Sequence, residues 1–213
     1  MQQVAELESV LGRSVSRETL ERLKAYEAAL LKWSQKINLV ARATYSEVWT
    51  RHILDSAQLY PLSGAGFDHW CDLGSGGGLP GMVLACLGKE LQPGASFTLI
   101  ESDARKAAFL MTTARSLDLP AKVVKQRIET AKPADADVVS ARALAPLRIL
   151  LGYCRTHLSA DGIAVLPKGR NVAHEVEEAR QSWQFDVQRS ASRADPEGAI
   201  LTIRNLRPKD EIR

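Results

Sequence analysis

The spacing of apolar positions along this chain changes at about residue 68. Before that point Leu20, Leu23, Tyr26 and Leu30 recur at helical intervals behind Ser16, a residue type that caps helix N-termini through its hydroxyl. Thr44-Tyr45-Ser46-Glu47 has the form of a capping box and predicts a second helix through Val48, Ile53 and Leu54. No strand pattern occurs in this part. Residues 1–60 are therefore expected to form a helical cap packed on a core over 61–213, with the 61–66 turn setting it off. Beyond that turn, short apolar runs at 69–73, 97–101, 121–125, 137–140 and 163–167 alternate with helical stretches near 80–88, 103–117 and 145–157. Such alternation predicts an α/β fold, a mostly parallel sheet with helices on both faces. The runs at 185–189 and 199–204 read as a hairpin, so an antiparallel strand is expected to finish the sheet. Residues after Leu206 read as a frayed tail.

Composition narrows the class. The 213 residues, 45% hydrophobic and 25% charged, suit one soluble globular unit. The N-terminus lacks the basic-then-apolar layout of a signal peptide, and no apolar run reaches the length of a membrane span. Cys71, Cys86 and Cys154 are scattered without a C-x-x-C pair, which points to a reduced, cytoplasmic protein without a metal site. A monomer is expected. The net charge of +3 is mild but uneven. Residues 61–119 carry four Lys/Arg against six Asp/Glu, whereas 140–170 carry five against one and 32–52 carry four against one. If the fold brings the last two segments to one rim, they form an electrostatic footprint for phosphate.

The densest chemical signal is Trp70-Cys71-Asp72-Leu73-Gly74-Ser75-Gly76-Gly77-Gly78-Leu79-Pro80-Gly81, with five glycines in eight positions from 74 to 81. Its register admits two cofactors. Asp72-x-Gly74-x-Gly76-x-Gly78 is the acid-x-Gly-x-Gly-x-Gly turn of S-adenosylmethionine methyltransferases, while Gly76-x-Gly78-x-x-Gly81 formally matches a dinucleotide fingerprint. Ligands of open α/β sheets bind beyond the carboxyl ends of the strands, so close approach to Gly74, Gly76 and Gly78 is expected. A pyrophosphate would be repelled by a carboxylate at Asp72, and Pro80 disturbs the dinucleotide pattern. The register favours S-adenosylmethionine.

Later strand ends extend the site. Glu101 can take both ribose hydroxyls of an adenosine in either cofactor, and it also suits the N-terminus of the helix that follows. Gln126-Arg127-Ile128-Glu129 stands where an adenine would be met, with Ile128 and Glu129 as the expected contacts. Arg142 closes the fourth strand where substrate and transferring methyl would meet, and Lys168-Gly169-Arg170 closes the fifth on the same rim. His52 and Asp55, three apart on one helical face, suit either a substrate-facing role or a hydrogen-bond network between cap and core. Lys36, Arg51, His52, Lys168 and Arg170 form the candidate set for RNA phosphates.

Several of these motifs occur together and in order: Leu31-Lys32-Trp33-Ser34 with Ile37-Asn38-Leu39, Arg51-His52-Ile53-Leu54-Asp55-Ser56, the glycine turn, Ser140-Ala141-Arg142-Ala143 and Lys168-Gly169. From about residue 20 to 205 the chain resembles the bacterial 16S rRNA guanine-N7 methyltransferase family called RsmG or GidB. The resemblance implies a Rossmann-like class I S-adenosylmethionine-dependent methyltransferase fold with an N-terminal helical cap. It implies cofactor contacts at Gly74, Leu79, Ile128, Glu129 and Arg142, and 7-methylguanosine in the 530 loop of 16S rRNA as product. An assembled 30S subunit or precursor particle is the expected substrate. Guanine N7 needs no general base, which leaves Arg142 as the candidate for guanine positioning. Two other classes stay open: a nicotinamide-dependent oxidoreductase, whose hydride-transfer residues are not found, and a non-catalytic RNA-binding or ribosome-assembly module with a relict cofactor site.

Overall fold

Ser16 starts the second of two N-terminal helices, α1 (Gln2–Leu11) and α2 (Arg17–Ser34), and its hydroxyl accepts from the Thr19 amide at 3.2 Å. The same residue docks the cap: its amide and hydroxyl donate to the Glu90 carboxylate at 3.0 and 2.7 Å. The computed structural model describes residues 2–64, 66–193 and 195–212. Residues 44–47 do not open an α-helix as the capping-box pattern predicts. They lie within a 3-10 turn (Arg42–Glu47), followed by a π-helical turn (Trp49–Leu54) and the short α3 (Asp55–Ala57). The reason is local competition. The Thr44 hydroxyl donates to the Ala41 carbonyl at 2.8 Å and meets His52 Nε2 at 3.0 Å, so it does not serve the Glu47 amide.

Seven strands follow: β1 (His69–Leu73), β2 (Ser96–Ile100), β3 (Ala121–Val124), β4 (Ala136–Ala141), β5 (Leu158–Lys168), β6 (Trp183–Ala191) and β7 (Ala199–Pro208). They form one sheet in the order β3-β2-β1-β4-β5-β7-β6. The first five pair in parallel, and β7 runs antiparallel to both β5 and β6. Four longer helices fill the connections: α4 (Gly81–Leu91), α5 (Ala104–Ser116), α6 (Leu147–His157) and α7 (Val172–Arg180). Residues 207–212 are not frayed, and Arg213 lies outside the described residues. Pairing of Trp183 with Pro208 carries β7 on, and a 3-10 turn (Lys209–Ile212) follows.

Because side chains alternate across a strand, the sheet has two cores. Trp70, Phe97, Leu99, Val138 and Val165 face α4 and α5, and the cap residues Leu7, Leu23, Tyr26 and Leu30 join that same cluster. Cys71, Leu73, Val139, Ala164 and Leu166 face the opposite way, toward Leu147, Leu151 and Val172 of α6 and α7. Helix α4 is buried from Gly81 through Gly88, since it is sandwiched between sheet and cap. Among the described residues, no helix is long and apolar enough to cross a membrane.

One bond ties cap to turn directly. The Tyr26 hydroxyl, on a fully buried side chain, donates to the Gly77 carbonyl at 2.6 Å. Tyr26→Phe leaves that carbonyl without its donor, so we expect a loss of about 1–3 kcal/mol in a urea melt. Unchanged stability would show that the contact is dispensable.

Candidate active site

Strands β1 and β4 lie side by side, and the chain leaves them toward opposite edges of the sheet. Their carboxyl ends therefore open a crevice, the place where open α/β sheets bind ligands. The glycine turn fills one side of it. Gly74, Gly76 and Gly78 adopt φ of 64°, 56° and 87°, a left-handed backbone that favours glycine. A Cβ on Gly74 would stand 2.7 Å from Leu144, and one on Gly78 would overlap Met82. At Gly76 the position of a Cβ has only the Gly74 carbonyl near it, at 3.8 Å, which leaves its main chain open to a ligand.

Two carboxylates hold this turn. Asp72 is buried beneath it: one oxygen accepts from Ser140 Oγ at 2.7 Å and the other from the Gly81 amide at 3.2 Å. Ser140 Oγ in turn accepts from Trp70 Nε1 at 2.9 Å. Burial pushes the Asp72 carboxyl up to about 6, while the hydrogen bonds from Ser140 and Gly81 pull the other way. Glu101 works from the side. Its Oε2 accepts from the Gly76 amide at 2.8 Å and its Oε1 from the Asp103 amide at 2.7 Å. Each of these oxygens keeps acceptor capacity for a further donor.

Between turn and strand ends lies a cleft of about 390 Å³, walled by Gly74, Gly76, Glu101, Ile128, Glu129 and Arg142. Of the cofactor candidates, Asp72, Gly78 and Leu79 are not on its wall; they shape the turn from below. Asp72 thus lies beneath the turn and off the cleft wall. Its carboxylate occupies the N-terminus of α4, the seat a dinucleotide pyrophosphate would need. The cleft also contains residues that the sequence pattern did not mark. Tyr153 donates to Glu129 at 2.9 Å, and Leu144 lies against Gly74. Buried His157 donates from Nε2 to the Ile128 carbonyl at 3.3 Å and so braces that turn. Only contacts between distant segments reveal these roles.

Arg142 stands between this cleft and a second one of about 350 Å³, walled by Asp55, Pro167, Lys168, Gly169, Glu175 and Asp195 among others. Its Nη1 donates to His52 Nδ1 at 3.2 Å and to Asp55 Oδ2 at 3.3 Å. Ala143, which follows it, has a φ of 51°, a strained backbone for a residue with a Cβ. The π-turn brings His52 and Asp55 to the same guanidinium. Since the Thr44 hydroxyl donates to Ala41, it accepts from His52 Nε2–H, and this leaves Nδ1 as the acceptor for Arg142. The imidazole is therefore neutral. Burial first, and then the nearby Arg142 charge, together push His52 down to about 4. Burial raises Asp55, and Arg142 opposes that rise. Arg142 Nε and Nη2 have no partner among the described residues.

The rim set divides in the same way. Lys36, Arg51 and Arg170 are exposed, Arg51 pairing with Glu47 at 2.8 Å. Lys168 lines the second cleft but is mostly covered: its ammonium is held by Glu175 at 2.6 Å and the Ala145 carbonyl at 3.2 Å. Glu175 also accepts from the Leu147 amide at 2.7 Å, so the pair ties the end of β5 to the starts of α6 and α7. His52 and Lys168 thus have internal partners, which for His52 is the network between cap and core that the sequence left open.

Comparison with known proteins agrees with this geometry. The family described as rRNA small subunit methyltransferase G (GidB) matches residues 19–212. A ribosomal RNA small subunit methyltransferase G of Cereibacter sphaeroides is 48% identical over 91% of this chain and 93% of its own length. The protein of that name from Rhodospirillum centenum is 51% identical over 92% and 88%. Among solved structures, the 16S rRNA methylase RmtB superposes with a TM-score of 0.56 at 19% identity, over 94% of this chain and 79% of that one. A SAM-dependent methyltransferase from Aquifex aeolicus gives 0.55 at 12% identity, over 74% and 91%. These two likenesses show the fold: a class I methyltransferase sheet with one antiparallel strand.

The His52 network predicts a titration. With a folded pKa near 4 and an unfolded value near 6.5, the unfolded chain takes up the proton first as pH falls. The contribution of His52 to stability is therefore present above pH 6.5 and is lost as pH falls from there toward 4. NMR of the imidazole should show the Nε2–H tautomer and a midpoint near 4, rising in Arg142→Ala. A midpoint of 6–7 in the intact protein would contradict the network.

Proposed function

This chain belongs to the rRNA small subunit methyltransferase G family, and on that premise we propose that it methylates N7 of a guanine in the 530 loop of 16S rRNA from S-adenosylmethionine. The substrate on this reading is the 30S subunit or a precursor particle. The observation that carries it is Arg142, which stands between two clefts and keeps Nε and Nη2 free while Nη1 is anchored.

The cleft beside the glycine turn fits S-adenosylmethionine in its donor set. Glu101 offers carboxylate oxygens to ribose hydroxyls, and the Gly76 main chain is open to close approach. Ile128 and Leu144 offer apolar surface for an adenine. When bound, S-adenosylmethionine supplies an electrophilic methyl on a positively charged sulfur.

What the chain supplies is position and electrostatics. Guanine N7 carries an in-plane lone pair and no proton near neutral pH, so no side chain has to act as base. Arg142 donates to guanine O6 from its free nitrogens and fixes the purine plane, leaving N7 unobstructed. A purine that gains a methyl at N7 becomes positive, and a lone arginine beside it would oppose the reaction. Here Asp55 offsets that charge at 3.3 Å, and His52 adds none because it is neutral. Phosphates on either side of the target base are held by exposed Lys36, Arg51 and Arg170.

Tritium transfer from labelled S-adenosylmethionine to 30S particles, with the modified base mapped, tests the assignment. We expect label at one guanine of the 530 loop; label at another base overturns the assignment of the target, and no transfer overturns the methyltransferase reading and would favour a non-catalytic RNA-binding role. Arg142→Ala should lower kcat by about 10²–10³, the usual loss on removing one positioned donor, and Arg142→Lys should not restore it because the planar fork is gone. In calorimetric titration Glu101→Gln should weaken S-adenosylmethionine at least about tenfold, equivalent to about 1.4 kcal/mol. Unchanged cofactor affinity would remove Glu101 from the site.

A further inference from the structure

The connection from β3 to β4 leaves part of the sheet open. Residues 125–135 cross the sheet with only a 3-10 turn (Ile128–Thr130), where α4, α5 and α6 occupy the other parallel crossovers. Between this segment and the face formed by His69, Thr98 and Lys122 lies a cleft of about 530 Å³. Its charge is one-sided. Lys122, Lys125 and Lys132 stand on its wall together with His69, and neither Asp nor Glu lines it. The three lysines are exposed and have no ion pair among the described residues. Asp137, on the adjoining strand, is engaged by the Asp68 and His69 amides at 2.8 and 2.9 Å. Ile100 and Gln126 belong to the walls of both this cleft and the one beside the glycine turn, so the two are contiguous.

We infer that this cleft holds the phosphodiester backbone of a single-stranded stretch of the RNA substrate, apart from the target base. Three ammonium groups with no ion pair among the described residues, around one open concave wall, set up a positive potential. A chain of phosphates meets such a wall with one negative charge per nucleotide, so that several ammonium groups spread along it can each meet one. The inference rests on RNA being the substrate, as proposed above.

The test is fluorescence anisotropy of a labelled single-stranded RNA oligonucleotide across a range of salt. The Lys122→Glu/Lys125→Glu/Lys132→Glu protein is compared with one carrying the same reversal at exposed Lys24, Arg189 and Lys209. We expect the cleft variant to bind at least about tenfold more weakly at 0.1 M salt. Its log–log salt slope should be shallower by about 2, at roughly 0.7 per lost phosphate contact on a single strand. The control should change less than threefold. Equal losses in the two variants, or affinity and slope unchanged in the cleft variant, overturn the inference. Lys→Gln at the same three positions should give an intermediate loss, and a circular dichroism melt checks folding of each variant. Tritium transfer by the unaltered protein is scored separately, so failure of the methyltransferase reading would be distinguishable from failure of the cleft.

Discussion

Taking a carboxylate out of water costs several kcal/mol unless its oxygens find donors, and Asp72 meets that demand from two different parts of the chain. Ser140 on β4 serves one oxygen and the first amide of α4 serves the other. The bond to Ser140 links the two strands at the switch point, with Trp70 completing the chain of donors. The bond to Gly81 fixes where the glycine turn ends. Glu101 then holds the middle of the turn by the Gly76 amide, and Tyr26 holds it from the cap by the Gly77 carbonyl. A turn with three left-handed glycines has little stiffness of its own. Its shape comes from these three side chains, which stand on a strand, on the following strand end and on the cap.

The cap therefore has a second purpose beyond covering one face of the sheet. Tyr26 braces the turn, and the π-turn carries His52 and Asp55 to Arg142. A guanidinium tethered by one nitrogen retains directed donors on the others, which is what in-plane recognition of a purine edge requires. Its tether is also close to neutral, one carboxylate against one cation, with an imidazole that burial keeps uncharged. Positioning and charge balance come from the same three residues.

Much of the site was legible in the sequence because its signals are local. Gly74 and Gly76 line the cleft with Glu101, Ile128, Glu129 and Arg142, all of which can be read as residues that follow strand ends. Asp72 was legible as important but not in its role, since alternation alone does not say whether a carboxylate at a strand end points at a ligand or under the turn. For His52 the sequence left a hydrogen-bond network between cap and core open, and the structure shows one; Lys168 illustrates a related limit. Composition marks a basic residue as a possible phosphate ligand, but only the Glu175 carboxylate at 2.6 Å shows that Lys168 is already paired. The residues at 44–47 show a different limit. A capping box is a statement about one segment, and Thr44 is claimed by Ala41 and by His52, eight residues on.

By itself the sequence determined the period of each element, the glycine-rich register after β1 and the order of the strand ends that bear functional groups. These follow from backbone sterics and from the repeat of apolar residues, both of which act over a few neighbours. The tertiary structure decided which polar groups stay free. Arg142 anchored by one nitrogen, Lys168 held in an ion pair and three lysines with no ion pair among the described residues are equivalent in a sequence, for each is simply a cation. Whether a charge is neutralised depends on what the fold brings within about 4 Å of it, and those partners lie up to 90 residues away along the chain.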